Sequence, residues 1–220
     1  DGHTDFGVIA SISEGLAYHR ADDFHRIIEI ACAESLQLIT LTITEKGYQL
    51  NGYDGSYQDA VVEDLGRDPE SDRMSTAMGL VTALLVRRFH AGATPVAVVS
   101  CDNFSHNGDM LRTSVLTIAA EWEKRGVIDH RVVEWIAEKV EFPISVIDKI
   151  TPAPSQKVAE QLASMGFEDM AINLDVEVAG FVNTEPAEYL VIEDRFPNGR
   201  PELEKAGVYF TDRDTCHRFE

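Results

Sequence analysis

The residues best placed to do chemistry lie just past two apolar runs. Leu38-Ile39-Thr40-Leu41-Thr42-Ile43-Thr44 ends at Glu45, and Thr94–Ser100 ends at Cys101-Asp102-Asn103. Such runs read as strands buried on both faces of a parallel sheet. In these sheets ligands bind beyond the carboxyl ends of the strands, so both polar turns are candidate contacts. An asparagine amide there can donate to an oxygen that gains negative charge, and a carboxylate accepts from hydroxyl groups. The plainer readings stand beside these. Asn103 is also a natural turn former, Asp102 a cap for the following helix, and Asp148-Lys149 a solvated ion pair worth under ~1 kcal/mol.

Other chemistries lack their signatures. The seven histidines contain no H-E-x-x-H and no paired ligand spacing, so no metal site is expected. There is no G-x-S-x-G and no Walker loop. Cys101 has no fitting histidine and reads as a small buried residue, and His106 as a solvated loop residue. Glu193 and Asp194 are neighbours on an extended segment, where they face opposite ways and cannot act as a hydrolytic pair.

The elements that would hold these turns follow from periodicity. Gly7–Ile12 reads as a strand. Asp22 and Asp23 precede Phe24, Ile27, Ile28 and Ala31, which share a helix face that the aspartates can cap. Gly47 permits a sharp turn after Glu45. Residues 51–72 are polar with several Gly and Asp and read as loop. Met74, Ala77, Met78, Val81, Leu84 and Leu85 recur at helical spacing, with Arg87-Arg88 at the negative end. Further helices are expected at Asp109–Lys124, Asp129–Lys139 and Ser155–Met165. Phe142–Pro154 interrupts the pattern, and extended segments lie near Val176–Phe181 and Tyr189–Ile192. Strand and helix alternating in this order imply a parallel sheet with right-handed crossovers.

The chain has 220 residues, with 38 acidic and 19 basic side chains giving a net charge of -19. So acidic a surface repels a phosphate backbone, which argues against nucleic acid as a partner. No apolar run reaches the ~20 residues of a membrane span, and no signal peptide is visible. Three widely spaced cysteines fit a reducing, cytoplasmic setting better than a disulfide framework.

Four strings then carry a resemblance: Thr42-Ile43-Thr44-Glu45-Lys46-Gly47-Tyr48, Ser100-Cys101-Asp102-Asn103-Phe104-Ser105-His106-Asn107-Gly108, the segment from Phe142 to Pro152, and Ile192-Glu193-Asp194-Arg195-Phe196-Pro197-Asn198-Gly199-Arg200-Pro201. In this order they resemble the long-chain polyol dehydrogenases of the mannitol dehydrogenase family. The family's usual Val-Asp-Arg is Ile147-Asp148-Lys149 here, which keeps the charge and loses the planar fork of arginine.

The resemblance implies a truncated, doubly wound, mostly parallel α/β fold of Rossmann type. Residues 1–145 would be the remainder of the NAD(P)-binding domain, and 146–220 a connection into a mostly absent helical substrate domain. It implies a metal-independent enzyme that interconverts a polyol and a ketose with NAD or NADP; the alternatives are a fructuronate or sugar-acid reductase, or a binding domain that kept the fold. Asn103 would stabilise the oxyanion and touch the cofactor with Thr44 and Glu45. Asp148 and Lys149 would bind substrate, and Glu220 is the candidate proton relay. The glycine-rich pyrophosphate turn would lie before Asp1, and the catalytic Lys, Asn and His beyond Glu220. A monomer or weak oligomer is expected.

Overall fold

The computed structural model describes residues 6–149, 151–174, 178–185 and 188–220. In chain order the elements are α1 (Ala21–Cys32), β1 (Leu38–Leu41), α2 (Asp59–Leu65), α3 (Ala77–His90), β2 (Ala97–Ser100), α4 (Asn107–Lys124), α5 (His130–Lys139), β3 (Ser145–Asp148), α6 (Gln156–Ser164), β4 (Tyr189–Glu193), β5 (Tyr209–Thr211) and α7 (Arg213–Phe219). Short 3-10 turns cover Glu45–Tyr48 and Leu203–Ala206.

β1 and β2 pair in parallel, from Leu38 opposite Ala97 to Leu41 opposite Ser100. Every residue of β2 is buried, while β1 is only partly covered. The chain before β3 runs parallel to β2: Val98 N donates to Glu141 O, and Glu141 N donates to Val96 O. β3 then continues past the carboxyl end of β2, pairs antiparallel with β4, and β4 pairs parallel with β5. The expected parallel α/β arrangement is therefore present, with one antiparallel step at β3–β4.

Helices α3, α4 and α5 form the main core with β2. Met78, Leu85, Val98, Leu111, Val115, Trp122, Val132 and Ile136 belong to one buried cluster. Burying each large apolar side chain contributes roughly 1.5–3 kcal/mol. Trp122 also donates its indole N–H to Asp64 O, so the ring's one polar atom is satisfied.

Several local expectations are corrected by the tertiary structure. Residues 7–12 form no strand; they are exposed, and among the described residues no strand pairs with them. Asp22 and Asp23 lie in the first turn of α1, whose N-cap is Arg20, and Asp23 instead accepts from Ala17 N. Within 51–72, α2 forms because the buried Asp64 ties it to α3: its carboxylate accepts from Ser75 N and from the Thr76 N–H and hydroxyl. Gly47 does not take a positive φ. A Cβ there would stand 2.9 Å from the Ile43 side chain, so space is what demands glycine. Arg88 does more than face a helix dipole. It is 1% exposed and donates to Ala31 O, Ala33 O, Leu36 O and Thr94 O, joining α3 to the C-terminal end of α1 and to the approaches of β1 and β2. Phe142–Pro154 contains β3. Of the extended reading near Val176–Phe181, residues 176 and 177 lie outside the described residues; 178–181 is not a strand.

Candidate active site

Asp102 organises the carboxyl rim of the first sheet. Its carboxylate accepts from Ile43 N and Thr44 N, both at 2.9 Å, and so pins the turn after β1 to the turn after β2. Its Oδ2 also meets the buried Tyr48 hydroxyl at 2.5 Å. Tyr48 lies 2.7 Å from the Ser100 hydroxyl as well. A phenol has one proton and an ionised carboxylate can only accept. Tyr48 therefore donates to Asp102 while Ser100 donates to Tyr48. Burial, then the Asp102 contact, pushes the Tyr48 phenol well above its ordinary pKa. The helix-cap reading of Asp102 gives way to this cross-turn role.

The rest of the rim is stitched to β3. The buried Asn107 amide donates to Asp102 O and Ser145 O, and its oxygen accepts from Ser145 N. The Ser145 hydroxyl donates to Ser100 O. Asp148 stands three residues further along the strand, roughly 10 Å at ordinary strand rise. The strand bearing Asp148 thus rises from the same rim as the turn bearing Asn103.

α7 closes one side. The two oxygens of Glu220 meet His106 N at 2.8 Å and His217 Nδ1 at 2.9 Å. Arg213 reaches back to both Asp109 and Glu193. Burial opposes the charge on Glu220, but the contacts with His217 and His106 outweigh it and hold the carboxyl below its ordinary range.

The polar groups of the rim divide into two sets. Asp102, Tyr48, Ser100, Asn107 and Ser145 are engaged with one another. Thr44, Glu45, Asn103 and Asp148 are exposed, and their side chains make no hydrogen bond among the described residues. The second set has donors and acceptors open for a ligand. Thr44 also holds a backbone conformation that is rare for a β-branched residue, φ 63 and ψ 158. Such outliers persist where the surroundings over-determine them, commonly at functional sites. Here the Asp102 bonds to Ile43 and Thr44 supply that constraint.

The remaining sequence candidates are placed differently. Lys149 pairs with Glu188 and donates to Glu185 O. Cys101 is partly buried, with a thiol pushed to about 11 by burial and then Asp102, so it is no ready nucleophile. Glu193 is 3% exposed and faces Arg213, whereas Asp194 is exposed and holds Arg200. The sequence reading missed Asp102, Tyr48 and Asn107 as organisers. The only local signal was their polarity beside a buried strand, because each acts through distant partners.

A family model described as the mannitol dehydrogenase Rossmann domain matches residues 3–205. A D-mannonate oxidoreductase of Thermotoga maritima is 45% identical, with 100% of this chain aligned to 42% of the relative. A polyol:NADP oxidoreductase of Gluconobacter oxydans is 36% identical over 81% of this chain and 34% of its own length. A mannitol 2-dehydrogenase of Cereibacter sphaeroides is 34% identical over 88% of this chain and 37% of its own length. Among solved structures, the Pseudomonas fluorescens mannitol 2-dehydrogenase in ternary complex with NAD and D-mannitol superposes with a TM-score of 0.70. It shares 33% identity and covers 88% of this chain and 37% of that one. The chain thus spans well under half the length of each of these relatives. Among the described residues no helix is long and apolar enough to cross a membrane. With nearly its whole length matched by the family model and the fold shared with solved members, the chain belongs to the mannitol dehydrogenase family.

Proposed function

We propose that the protein carrying this chain is an NAD(P)-dependent oxidoreductase that interconverts a secondary alcohol of an open-chain polyol with a ketone. The observation that carries the reading is the exposed Asn103 on a turn held from both sides, by Asp102 and by Asn107, at the rim where Rossmann sheets bind ligands. The nicotinamide, when bound, supplies the hydride acceptor or donor. Thr44, Glu45 and Asn103 are the residues of this chain that would hold it, and their side chains are exposed.

Asn103 would donate its amide N–H to the substrate oxygen as that oxygen gains negative charge, an interaction stronger in the transition state than before it. Asp148 would accept from substrate hydroxyls. Lys149 could join it only by leaving Glu188. Glu220 would carry the hydroxyl proton toward water. The three free cysteines fit a cytoplasmic setting. A change of organisation near residue 145, where the parallel pair gives way to the β3–β4–β5 sheet, supports the division at 1–145 and 146–220.

The test is the absorbance change of NAD(H) and NADP(H) with the whole protein and D-mannitol, D-arabinitol or fructuronate. Asn103→Ala should lower kcat about 10²–10³-fold with a smaller change in KM. A variant that keeps half of the wild-type kcat would remove Asn103 from the mechanism.

A second reading has its own support. The D-mannonate oxidoreductase is 45% identical, against 36% and 34% for the polyol relatives. A sugar acid in place of a neutral polyol is therefore the alternative substrate class. Comparing kcat/KM for fructuronate and fructose separates the two.

A further inference from the structure

His106 and Glu220 are 114 residues apart in sequence, yet their main chain and side chain meet at the rim. His217 joins them from the preceding turn of α7. One ring nitrogen from each histidine and one Glu220 oxygen all lie within 4.8 Å of one another. The two imidazole rings are 5.0 Å apart between centroids.

Two neutral imidazoles and a carboxylate form a donor set suited to a borderline transition cation. Three protein ligands leave one position for water in a four-coordinate site. Ligand atoms about 2.1 Å from such an ion lie roughly 3.4 Å from one another, so the widest of the three separations must close by up to about 1.4 Å. The histidine side chains have room to do so, being 63% and 31% exposed. Their supports are already fixed. Arg213 ties α7 to Asp109 at the start of α4, and the fully buried Cys216 seats the same helix. Asp109 Oδ2 lies 3.8 Å from His106 Nδ1, placed to orient that ring as outer carboxylates do at metal sites. A chain of net charge -19 also attracts cations from solution.

The histidines show no paired ligand spacing in the sequence because His106, the third donor, joins the other two only on folding. The local trace was the pair His217-x-x-Glu220, which shares one face of a helix.

We propose that His106, His217 and Glu220 bind one divalent transition-metal ion of the Zn2+ class, and that occupancy inhibits turnover. Binding would replace the His217–Glu220 hydrogen bond by two coordinate bonds, with the imidazole proton of His217 carried on its other ring nitrogen. The inhibitory part rests on the reading of Glu220 as a proton relay, since a carboxylate bound to a cation is a poor proton acceptor. The binding part does not.

The experiment uses the whole protein stripped with chelator. Calorimetric titration with Zn2+ should give one equivalent bound. Co2+ should give visible bands of a nitrogen and oxygen site without a thiolate charge-transfer band. His106→Gln and His217→Gln should each weaken Zn2+ binding about tenfold or more, with circular dichroism confirming the fold, and Cys216→Ser and Cys101→Ser should leave it unchanged. No stoichiometric binding, binding unaffected in both histidine variants, or loss of binding in a cysteine variant would overturn the site. Inhibition by Zn2+, reversed by chelator, should accompany binding. Binding with unchanged turnover would keep the site and overturn its inhibitory role.

Discussion

Asp102 decides whether the rim has a fixed shape. Thr44 in its observed backbone conformation costs on the order of 1–3 kcal/mol. Two charge-assisted bonds from Asp102 to Ile43 N and Thr44 N offset that cost. Removing the carboxylate also leaves the buried Tyr48 hydroxyl with no acceptor but Ser100. Asp102→Ala should therefore lower unfolding stability by about 2–3 kcal/mol, measured by urea denaturation. Tyr48→Phe should cost less, and the two changes should couple by about 1 kcal/mol in a double-mutant cycle. Additive effects would mean that Tyr48 and Asp102 do not act as one unit. The same pair of variants separates shape from chemistry. If Asp102 only positions, its loss lowers kcat/KM while Asn103, still present, keeps the reaction detectable.

The elements that carry the rim depend on one close approach. A Cβ on Gly108, in the first turn of α4, would stand 2.6 Å from Phe142 O and 2.7 Å from Pro143 O. Both obstacles are backbone, so neither can rotate away. Gly108→Ala should destabilise by about 1–3 kcal/mol and loosen the Asn107–Ser145 bonds that seat β3 against the turn. Thermal unfolding of the variant checks the first effect; faster hydrogen exchange at Ser145 N checks the second. A substitution that is neutral in both would show that α4 is not held against the β3 approach. This contact was invisible in the sequence, and the reason is general to the fold. The amphipathic periods of α3, α4 and α5 are local, as is the apolar run of β2, so all four were legible. α2 was hidden because seven residues in a Gly- and Asp-rich stretch show too little period. β3 was hidden because its partner β4 lies more than forty residues on and both of its end residues, Ser145 and Asp148, are polar. The position of Asn103 could be read from the strand before it. The role of Asp102 could not, since its partners are 54 to 59 residues away.

At the scale of the whole molecule, an excess of acid opposes the compact state. Acidic side chains outnumber basic ones 38 to 19. Ion pairs such as Arg26–Glu14 and Arg200–Asp194 are at least partly exposed and each worth at most about 1 kcal/mol. Salt weakens those pairs, but it also screens repulsion among the unmatched carboxylates over distances beyond about 10 Å at 0.1 M. The unmatched charges are as numerous as the basic groups, and their repulsion is summed over the whole surface. Repulsion should therefore win, and the melting temperature should rise from low ionic strength to about 0.2 M sodium chloride. A fall would mean that the local pairs dominate. Lower pH relieves the same repulsion but also protonates carboxylates held below their ordinary range, Glu220 and Asp212 among them. The pKa of Glu220 is depressed on folding, so its contribution is complete above the ordinary value of 4.5 and fades as pH falls through the lower folded value. The benefit of salt should shrink as the pH approaches the isoelectric point near 4.6, where the net charge vanishes. Below that, Glu220→Gln should lose less stability on acidification than the wild type, because it has no carboxylate left to protonate. Melting curves at low and moderate salt, recorded from neutral pH down past that point, test both halves together. Equal acid sensitivity in the two proteins would remove Glu220 from the contacts that hold α7 to the rim.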